Sequence, residues 1–328
     1  MNKVIGIIGG GPAGMSSALW LKYLGFSPII IEKKQQLGGL QQVSHFQNLW
    51  YLGLLGQTGY EIAEQFRQHI EAEHLSTLLG SHLQGITKTG DNFRIFTEEN
   101  EITAQGLVIA TGQRVKGYEA IESIEGSHQL LSSQQVCFDP GATPLLTSHV
   151  NEQVVAVVGG GDNGLVTAIR LADKAKHIHL FIRSQMRGFE VNQKAIYELI
   201  QAGKITLHQP AIIHRFELLA EKKINIVFTD EKNQEEKLVF DYLCFRIGFA
   251  PNVEEIVRVF QEGGVGSIQL SQRGHILTDQ FLRTSISQVY AAGDVANPRD
   301  PCVATAVAQG AVAARSMEED LRCESCFR

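Results

Sequence analysis

Residues 4–14 read VIGIIGGGPAG, and about half a chain later residues 154–164 read VVAVVGGGDNG. In both stretches a β-branched apolar run leads into the spacing G-x-G-x-x-G and then into a helix-like segment. This order is typical of the strand, tight turn and helix that bind a dinucleotide, whereas the glycine spacing alone is weak evidence. The glycines let backbone N–H groups approach a pyrophosphate at the positive end of the helix dipole. Two copies predict electron transfer between two nucleotide cofactors.

Composition narrows the class of protein. The 328 residues suffice for two domains, each with its own core. A hydrophobic content of 44%, a charged content of 20% and a net charge of −6 are ordinary for a globular protein and favour neither nucleic acid nor a membrane surface. No apolar run reaches the about 18 residues of a membrane span. With no signal-peptide pattern before Val4, these features predict a cytoplasmic protein.

The first fingerprint opens a complete βαβ unit. A helix is predicted from Met15 to Leu24, followed by a strand from Ser27 to Glu32. Glu32 lies about twenty residues beyond the glycines, where a carboxylate accepts hydrogen bonds from a ribose diol and repels a 2′-phosphate. The first site is therefore predicted to take FAD or NAD, the alternative being a solvated acid at a strand end. Further helices are predicted at residues 60–74 and 303–321, strands at 107–112, 177–182 and 289–295, and hairpins at 93–103 and 224–240.

The first fingerprint, Glu32, Gly38-Gly39, the Ala-Thr-Gly of residues 110–112 and Gly293-Asp294 occur in this order. The constellation resembles the low-molecular-weight thioredoxin reductase-like flavoproteins, over essentially the whole chain. The resemblance implies an α/β fold with two Rossmann-like, three-layer ββα nucleotide-binding domains. Residues 1–114 and 248–322 would form a discontinuous FAD-binding domain, residues 115–247 a second, NAD(P)H-like dinucleotide-binding domain, and residues 323–328 a C-terminal Cys-x-x-Cys tail.

The resemblance also implies the residues of two cofactor sites. FAD would be held by Gly9, Gly11, Pro12, Ala13, Gly14, Glu32, Lys33, Gly39, Leu40, Gln41, Asn48, Leu83, Thr111, Gly112, Gly293, Asp294, Cys302 and Val303. The second nucleotide would be held by Gly159, Gly161, Asp162, Asn163, Gly164, Arg183 and Arg187. The N-terminus of the last helix would place positive potential beside a flavin that is negative when reduced. No metal site is predicted.

Two departures from the family pattern bear on mechanism. Upstream of the second fingerprint the family carries Cys-x-x-Cys, but residues 134–137 read QQVC. The basic cluster that grips a 2′-phosphate is reduced to Arg183 and Arg187, so the occupant of the second site is left open between NADPH and a second FAD. Cys137 and Cys244 lie beside apolar residues and are predicted to be inert core.

A different dithiol is available at Cys323 and Cys326, because Cys-x-x-Cys lowers a thiol pKa and closes readily to a disulfide. The alternatives are incidental cysteines or half of a shared zinc site. A single helix over residues 303–321 would span ~28 Å, whereas six extended residues reach back only ~20 Å. The tail is therefore predicted to serve the flavin of the partner subunit in a homodimer, unless a kink returns it. Cys302, at a helix N-terminus, is the second candidate thiol, the alternative being a packing residue.

Taken together, these features predict an FAD-dependent disulfide oxidoreductase. Two electrons would pass between the flavin and the Cys323/Cys326 dithiol and on to the disulfide of a thioredoxin-like or small substrate. One alternative is a flavin-dependent ferredoxin/flavodoxin–NADP reductase of the same fold, with ferredoxin as a partner and no need for the cysteine pair. The alternative from another class is a non-catalytic flavoprotein that senses redox state.

Overall fold

The computed structural model describes residues 2–219, 222–297 and 299–326, without the side chains of Leu145 and of residues 323–326. The helices are α1 (Pro12–Tyr23), α2 (Gly59–Ala72), α3 (Thr143–Leu146), α4 (Asp162–Leu171), α5 (Glu190–Gln201), α6 (Glu254–Glu262) and α7 (Val303–Cys326). The strands are β1 (Val4–Ile8), β2 (Ser27–Glu32), β3 (Ser76–Leu79), β4 (Leu83–Thr89), β5 (Asn92–Thr97), β6 (Glu101–Ala104), β7 (Gly106–Ile109), β8 (Gln113–Val115), β9 (Val136–Cys137), β10 (Val154–Val158), β11 (His177–Phe181), β12 (Ile205–His208), β13 (Ile212–Leu218), β14 (Ile224–Thr229), β15 (Glu235–Phe240), β16 (Tyr242–Phe245), β17 (Phe249–Pro251) and β18 (Val289–Ala291).

The chain divides into two compact units. Unit 1 comprises residues 1–43, 47–114 and 250–328, and unit 2 comprises residues 44–46 and 115–249. Each unit contains one of the two glycine fingerprints. Unit 1 is thus assembled from both ends of the sequence.

Unit 1 is built on a five-stranded parallel sheet in the order β18-β7-β1-β2-β3. Its central strands are apolar on both faces, as strands covered on both sides must be. One face packs against α1 and α7, where Gly310 allows close contact because a Cβ there would overlap the carbonyl oxygen of Ala13. The other face is covered by the antiparallel sheet β4-β5-β6, through side chains such as Phe93 and Ile95.

Unit 2 repeats this plan. Its parallel sheet has the order β12-β11-β10-β16-β9, and the antiparallel sheet β13-β14-β15 covers one face. Helix α4 packs on the opposite face, where Leu165 and Ala168 meet Val157 of β10. Each unit therefore has helix, parallel sheet and antiparallel sheet as three layers, the ββα architecture that the sequence resemblance implies.

The last helix is longer than predicted. The sequence predicts a helix over residues 303–321 and a separate tail, but α7 continues to Cys326. Its last turns are held by local and by long-range contacts. Glu318 pairs with Arg315 and with Arg322 within the helix, and Lys3 Nζ donates to the carbonyl oxygen of Leu321 at 2.7 Å. The prediction of a non-helical six-residue tail was wrong for residues 323–326. No helix in the described part of the chain is long and apolar enough to cross a membrane.

Candidate functional site

The first fingerprint forms a cradle that only glycine fits. Gly9 has a φ of +109°, and a Cβ there would overlap the carbonyl oxygen of Ala110. A Cβ on Gly14 would in turn overlap the carbonyl oxygen of Gly9, so the start of α1 could not approach β1. Gly11 precedes α1 as its N-cap without a side-chain hydrogen bond. Pro12 has no backbone N–H, so the N–H groups of Ala13 and Gly14 in the first turn of α1 are the donors left for an anionic ligand.

Glu32 ends β2 beside this cradle and is 7% exposed. Its Oε2 accepts from the backbone N–H of Gly10 at 2.7 Å, and its Oε1 accepts from that of Lys34 at 2.9 Å. A carboxylate oxygen has two lone pairs, so each retains acceptor capacity. The two backbone bonds fix the carboxylate next to the glycine turn, in a position suited to a ribose diol.

Asp294 is the clearest indication of a ligand site in unit 1. Its Oδ1 is buried and has no hydrogen-bond partner among the described residues. Burial raises the pKa of Asp294 to about 6, although a hydrogen bond with Gln113 opposes the shift. Unpaired buried polar atoms are rare because their desolvation is costly. A hydroxyl-bearing ligand such as the ribityl chain of FAD would supply the absent donor.

Two residues that sequence reasoning did not assign to the site hold its turns. Asn252 bridges the Ala-Thr-Gly turn: its carbonyl oxygen accepts from Thr111 Oγ1 at 2.7 Å, and its Nδ2 donates to the carbonyl oxygen of Thr111 at 2.9 Å. Gln309 of α7 accepts from the backbone N–H of Gly293 at 2.8 Å. Both residues lie in the range 248–322 that the resemblance assigns to the FAD-binding domain, but nothing local predicted either contact.

Other predicted FAD residues occupy different environments. Gly39 approaches Gly11 so closely that a Cβ on it would lie 3.1 Å from the Cα of Gly11. Asn48 uses its Oδ1 to accept from the backbone N–H of Trp50, which stabilises a turn. Leu83 is 4% exposed within the hydrophobic core. Lys33 is exposed, and Leu40 and Gln41 are half-buried in a 3-10 turn.

Cys302 lies immediately before α7 and is half-buried. Its carbonyl oxygen accepts from Ala306 N–H at 3.0 Å, while its own N–H donates to Thr305 Oγ1 at 3.3 Å. The thiol is 3.4 Å from the same hydroxyl. Val303, the first residue of α7, is buried. Cys302 therefore occupies the N-cap of a long helix, where the dipole favours negative charge.

The residues of unit 1 fit FAD. The glycine cradle with unpaired helix N–H groups suits a pyrophosphate, Glu32 suits the adenine ribose, and the buried oxygen of Asp294 requires a donor. These three features lie at the carboxyl ends of β1, β2 and β18, which belong to one parallel sheet, and this edge is the usual position of nucleotide sites in such sheets.

The second fingerprint has the same backbone geometry. Gly159 has a φ of +143°, and a Cβ there would overlap the carbonyl oxygen of Arg246. Gly161 faces open space and precedes α4 without a side-chain cap. A Cβ on Gly164 would overlap the carbonyl oxygen of Gly159. Unit 2 therefore has the same glycine cradle as unit 1.

The side chains around the second cradle differ from those in unit 1. Ile8 pairs with Ile31 in unit 1 and Val158 with Phe181 in unit 2, so Ile182 occupies the position equivalent to Glu32. Ile182 is buried and offers no acceptor for a ribose diol.

The other predicted residues of the second site are polar. Arg183, Arg187 and Asn163 are exposed. Asp162 Oδ1 accepts from the backbone N–H of Phe189 at 2.7 Å and from Asn192 Nδ2 at 2.9 Å, which fixes the start of α5.

The side chains of Cys323 and Cys326 lie outside the described residues, but their place on α7 is defined. The helix is held just before them, where Arg283 forms a two-pronged ion pair with Asp320 at 2.7 and 2.8 Å. Lys3 contacts the carbonyl oxygen of Leu321 there as well. Lys3 precedes β1, whereas the cradle follows it, so this end of α7 lies at the opposite edge of the sheet from the nucleotide site.

Known proteins resemble this chain in both sequence and fold. Residues 3–310 match the family model of the pyridine nucleotide-disulphide oxidoreductases. The chain is 27% identical over 327 residues to NADPH-dependent thioredoxin reductase 3 of Arabidopsis thaliana, covering 96% of this chain but only 58% of the plant protein. It is 28% identical to the ferredoxin–NADP reductase of Limosilactobacillus fermentum, covering 88% and 84% of the two chains. The crystal structure of Lactococcus lactis thioredoxin reductase shares the fold, with a TM-score of 0.81 at 23% identity over 98% and 99% of the two chains.

Proposed function

The chain belongs to the pyridine nucleotide-disulphide oxidoreductase family, and we propose that it is an FAD-dependent disulfide oxidoreductase whose exchanging dithiol is Cys323 and Cys326. The family match and the shared fold confirm three predictions from the sequence: the fold class, an oxidoreductase activity, and FAD as a cofactor. The dithiol, its external disulfide substrate and the homodimer are proposals.

The observation that carries the proposal is the buried, unpartnered Oδ1 of Asp294 beside an intact glycine cradle. Bound FAD supplies a two-electron carrier between a reductant and a disulfide. Glu32 would orient its ribose, Asp294 would accept from its ribityl chain, and the N-terminus of α7 would favour negative charge near Cys302. Cys302 would then be a further thiol at the site.

The position of α7 supports a dithiol that acts on another molecule. A helix of 24 residues spans ~36 Å. Its first residue lies at the nucleotide end of the sheet and its last turns lie at the other end, held by Lys3 and Arg283. The pair at residues 323 and 326 is therefore remote from the nucleotide site of its own unit. This favours exchange in a homodimer, with the site of the partner subunit, and then with a thioredoxin-like or small disulfide.

An anaerobic titration of the flavin tests the proposal. Wild type and the Cys323→Ser/Cys326→Ser double variant are titrated with NADPH, NADH and dithiothreitol, and the flavin absorbance is followed. Dithiothreitol should reduce the flavin of wild type rapidly and that of the double variant slowly. Mixing the double variant with subunits that cannot bind FAD should restore activity in the hybrid dimer. Equal reduction in both proteins, or full activity in a monomer truncated after Leu321, contradicts the tail mechanism.

A ferredoxin or flavodoxin–NADP reductase is the second candidate function. It is favoured by the bacterial ferredoxin–NADP reductase, which matches over 84% of its own length. That activity needs no cysteine pair. This function would be supported if NADPH reduced the flavin rapidly and equally fast in the double variant, and if the reduced flavin passed electrons to ferredoxin.

The occupant of the second cradle is also a proposal. Ile182 replaces a ribose-binding carboxylate, and only Arg183 and Arg187 remain for a 2′-phosphate. Losing one charge-assisted bond of roughly 1.5–3 kcal/mol weakens selection for NADPH by about one to two decades. We favour a second flavin in this cradle over NADPH. We then expect denaturation to release about two flavin molecules per chain. A release of about one flavin per chain, together with tight NADPH binding, would show that NADPH occupies this cradle.

A further inference from the structure

Unit 2 brings together two cysteines that lie far apart in sequence. Cys137 ends β9 and Cys244 lies in β16, and these parallel strands place the two residues opposite each other in register. Neighbouring strands lie about 4.7–4.9 Å apart, within the roughly 4.4–6.8 Å between Cα atoms that a disulfide spans. Both side chains pack into the hydrophobic cluster around Val157 and Ala168, so they point to the same face of the sheet.

A buried guanidinium lies beside this pair. Arg246 is 5% exposed and donates to neutral oxygens, among them Thr167 Oγ1 at 2.8 Å and Thr143 Oγ1 at 3.1 Å. It also donates to the carbonyl oxygen of Cys137 at 3.0 Å, and its Nη2 is 3.8 Å from Cys137 Sγ. Among the described residues no carboxylate forms an ion pair with it. A buried charge without a counter-ion is costly, and the sulfur of Cys137 is one of the polar atoms that surround this guanidinium.

The two thiols differ in access. Cys244 is completely buried and out of contact with solvent, and burial raises its pKa to about 12. Cys137 is half-buried, and its thiol donates to the carbonyl oxygen of Asp139 at 3.4 Å. An external reagent therefore meets Cys137 first. The sequence prediction that both cysteines are inert core holds for the burial of Cys244 but not for the polar surroundings of Cys137.

We propose that Cys137 and Cys244 form a second redox-active dithiol, separate from the tail pair, which closes to a cross-strand disulfide by exchange with a low-molecular-weight disulfide. The Cys137 thiolate, beside Arg246, attacks one sulfur of the external disulfide RSSR and releases the first thiol, RSH, after that leaving group takes up the proton from Cys137. Cys244 then attacks the sulfur of Cys137 in the mixed disulfide, and its proton is transferred to the departing RS−, which leaves as the second RSH. Two protein thiols and one RSSR give one protein disulfide and two RSH.

The test uses the full chain with Cys302, Cys323 and Cys326 replaced by Ser, so that two of the five cysteines remain. This parent is incubated with oxidised glutathione, then denatured, alkylated and weighed by mass spectrometry. We expect an intact mass lower by two hydrogens, no alkylated cysteine, and a crosslinked peptide joining residues 137 and 244. Dithiothreitol should restore both thiols.

Two single variants of this parent give a readout that burial alone would not produce. Cys244→Ser should accumulate a glutathione adduct on Cys137, because the resolving thiol is gone. Cys137→Ser should stay unmodified at Cys244, with labelling at least tenfold slower than that of Cys137. Circular dichroism establishes that each variant is folded, and its flavin content is compared with that of the parent. Two free thiols in the treated parent, a persistent adduct on Cys137 in the parent, or modification of Cys244 in Cys137→Ser would each overturn the proposal.

Discussion

Replacing Asp294 by Asn should change stability and FAD affinity in opposite directions. Burial raises the pKa of Asp294 from 3.8 to about 6. Because the folded state binds this proton more tightly than the unfolded state, protonation of Asp294 stabilises the folded protein. This stabilisation is complete below about pH 4 and is lost as the pH rises through 6. At 1.36 kcal/mol per pKa unit, the buried charge costs the apoprotein roughly 3 kcal/mol above that pH.

Asp294→Asn removes this charge and keeps the size of the side chain. The apoprotein of the variant should therefore be more stable than wild type above pH 6, by up to roughly 3 kcal/mol, and the difference should vanish at acid pH. FAD should bind roughly ten- to hundredfold more weakly, because a hydrogen bond to a charged group is worth about 1.5–3 kcal/mol.

Urea unfolding of apoprotein across this pH range and fluorescence titration with FAD measure the two effects. Asp300→Asn, which changes an exposed acid on the same segment, is the matched control and should alter neither quantity. An Asp294→Asn apoprotein no more stable than wild type above pH 6, or one that binds FAD as tightly, would refute the reasoning.

Three further predictions follow from other parts of the structure. Gly14→Ala should abolish FAD retention during purification, because its Cβ would overlap the carbonyl oxygen of Gly9; Gly85→Ala, where the nearest contact is 3.8 Å away, should retain FAD. His179 and His208 share a 2.9 Å hydrogen bond, and burial lowers the pKa of both to about 4. The free energy of unfolding measured with urea should therefore fall as the pH drops from about 6.5 to 4. His208→Phe should lessen that fall, and an unchanged pH profile would contradict this cause. Asp320→Asn should lower the free energy of unfolding by about 1 kcal/mol, since its ion pair with Arg283 is partly exposed. It should also speed amide hydrogen exchange in the last turns of α7. Exchange equal to that of wild type would show that α7 does not depend on this ion pair.

The layered fold was predictable because its signals are local. An apolar β-branched run, a G-x-G-x-x-G turn and a following helix are specified within some twenty residues, and β2 ends at Glu32 as predicted. The two predicted hairpins also lie where alternating strands and polar turns indicated them. Two strand ends differ from the prediction: β7 stops at Ile109 and β18 at Ala291, before the small-residue turns that the sequence patterns had included.

The length of α7 was not predictable from its small-residue pattern. Its last turns depend on Lys3 and Arg283, which come from distant parts of the chain. The same holds for Asn252 and Gln309, whose bonds to the nucleotide turns join residues separated by whole elements.

What the sequence determined by itself is the pair of glycine cradles and their family, because turn geometry and strand–helix order are written in contiguous residues. Tertiary structure alone decided which polar groups are left without partners and which side chains face each other. The desolvated carboxylate of Asp294 and the register of Cys137 against Cys244 are consequences of that packing. Burial and strand register depend on contacts between residues distant in sequence, and no local pattern encodes them.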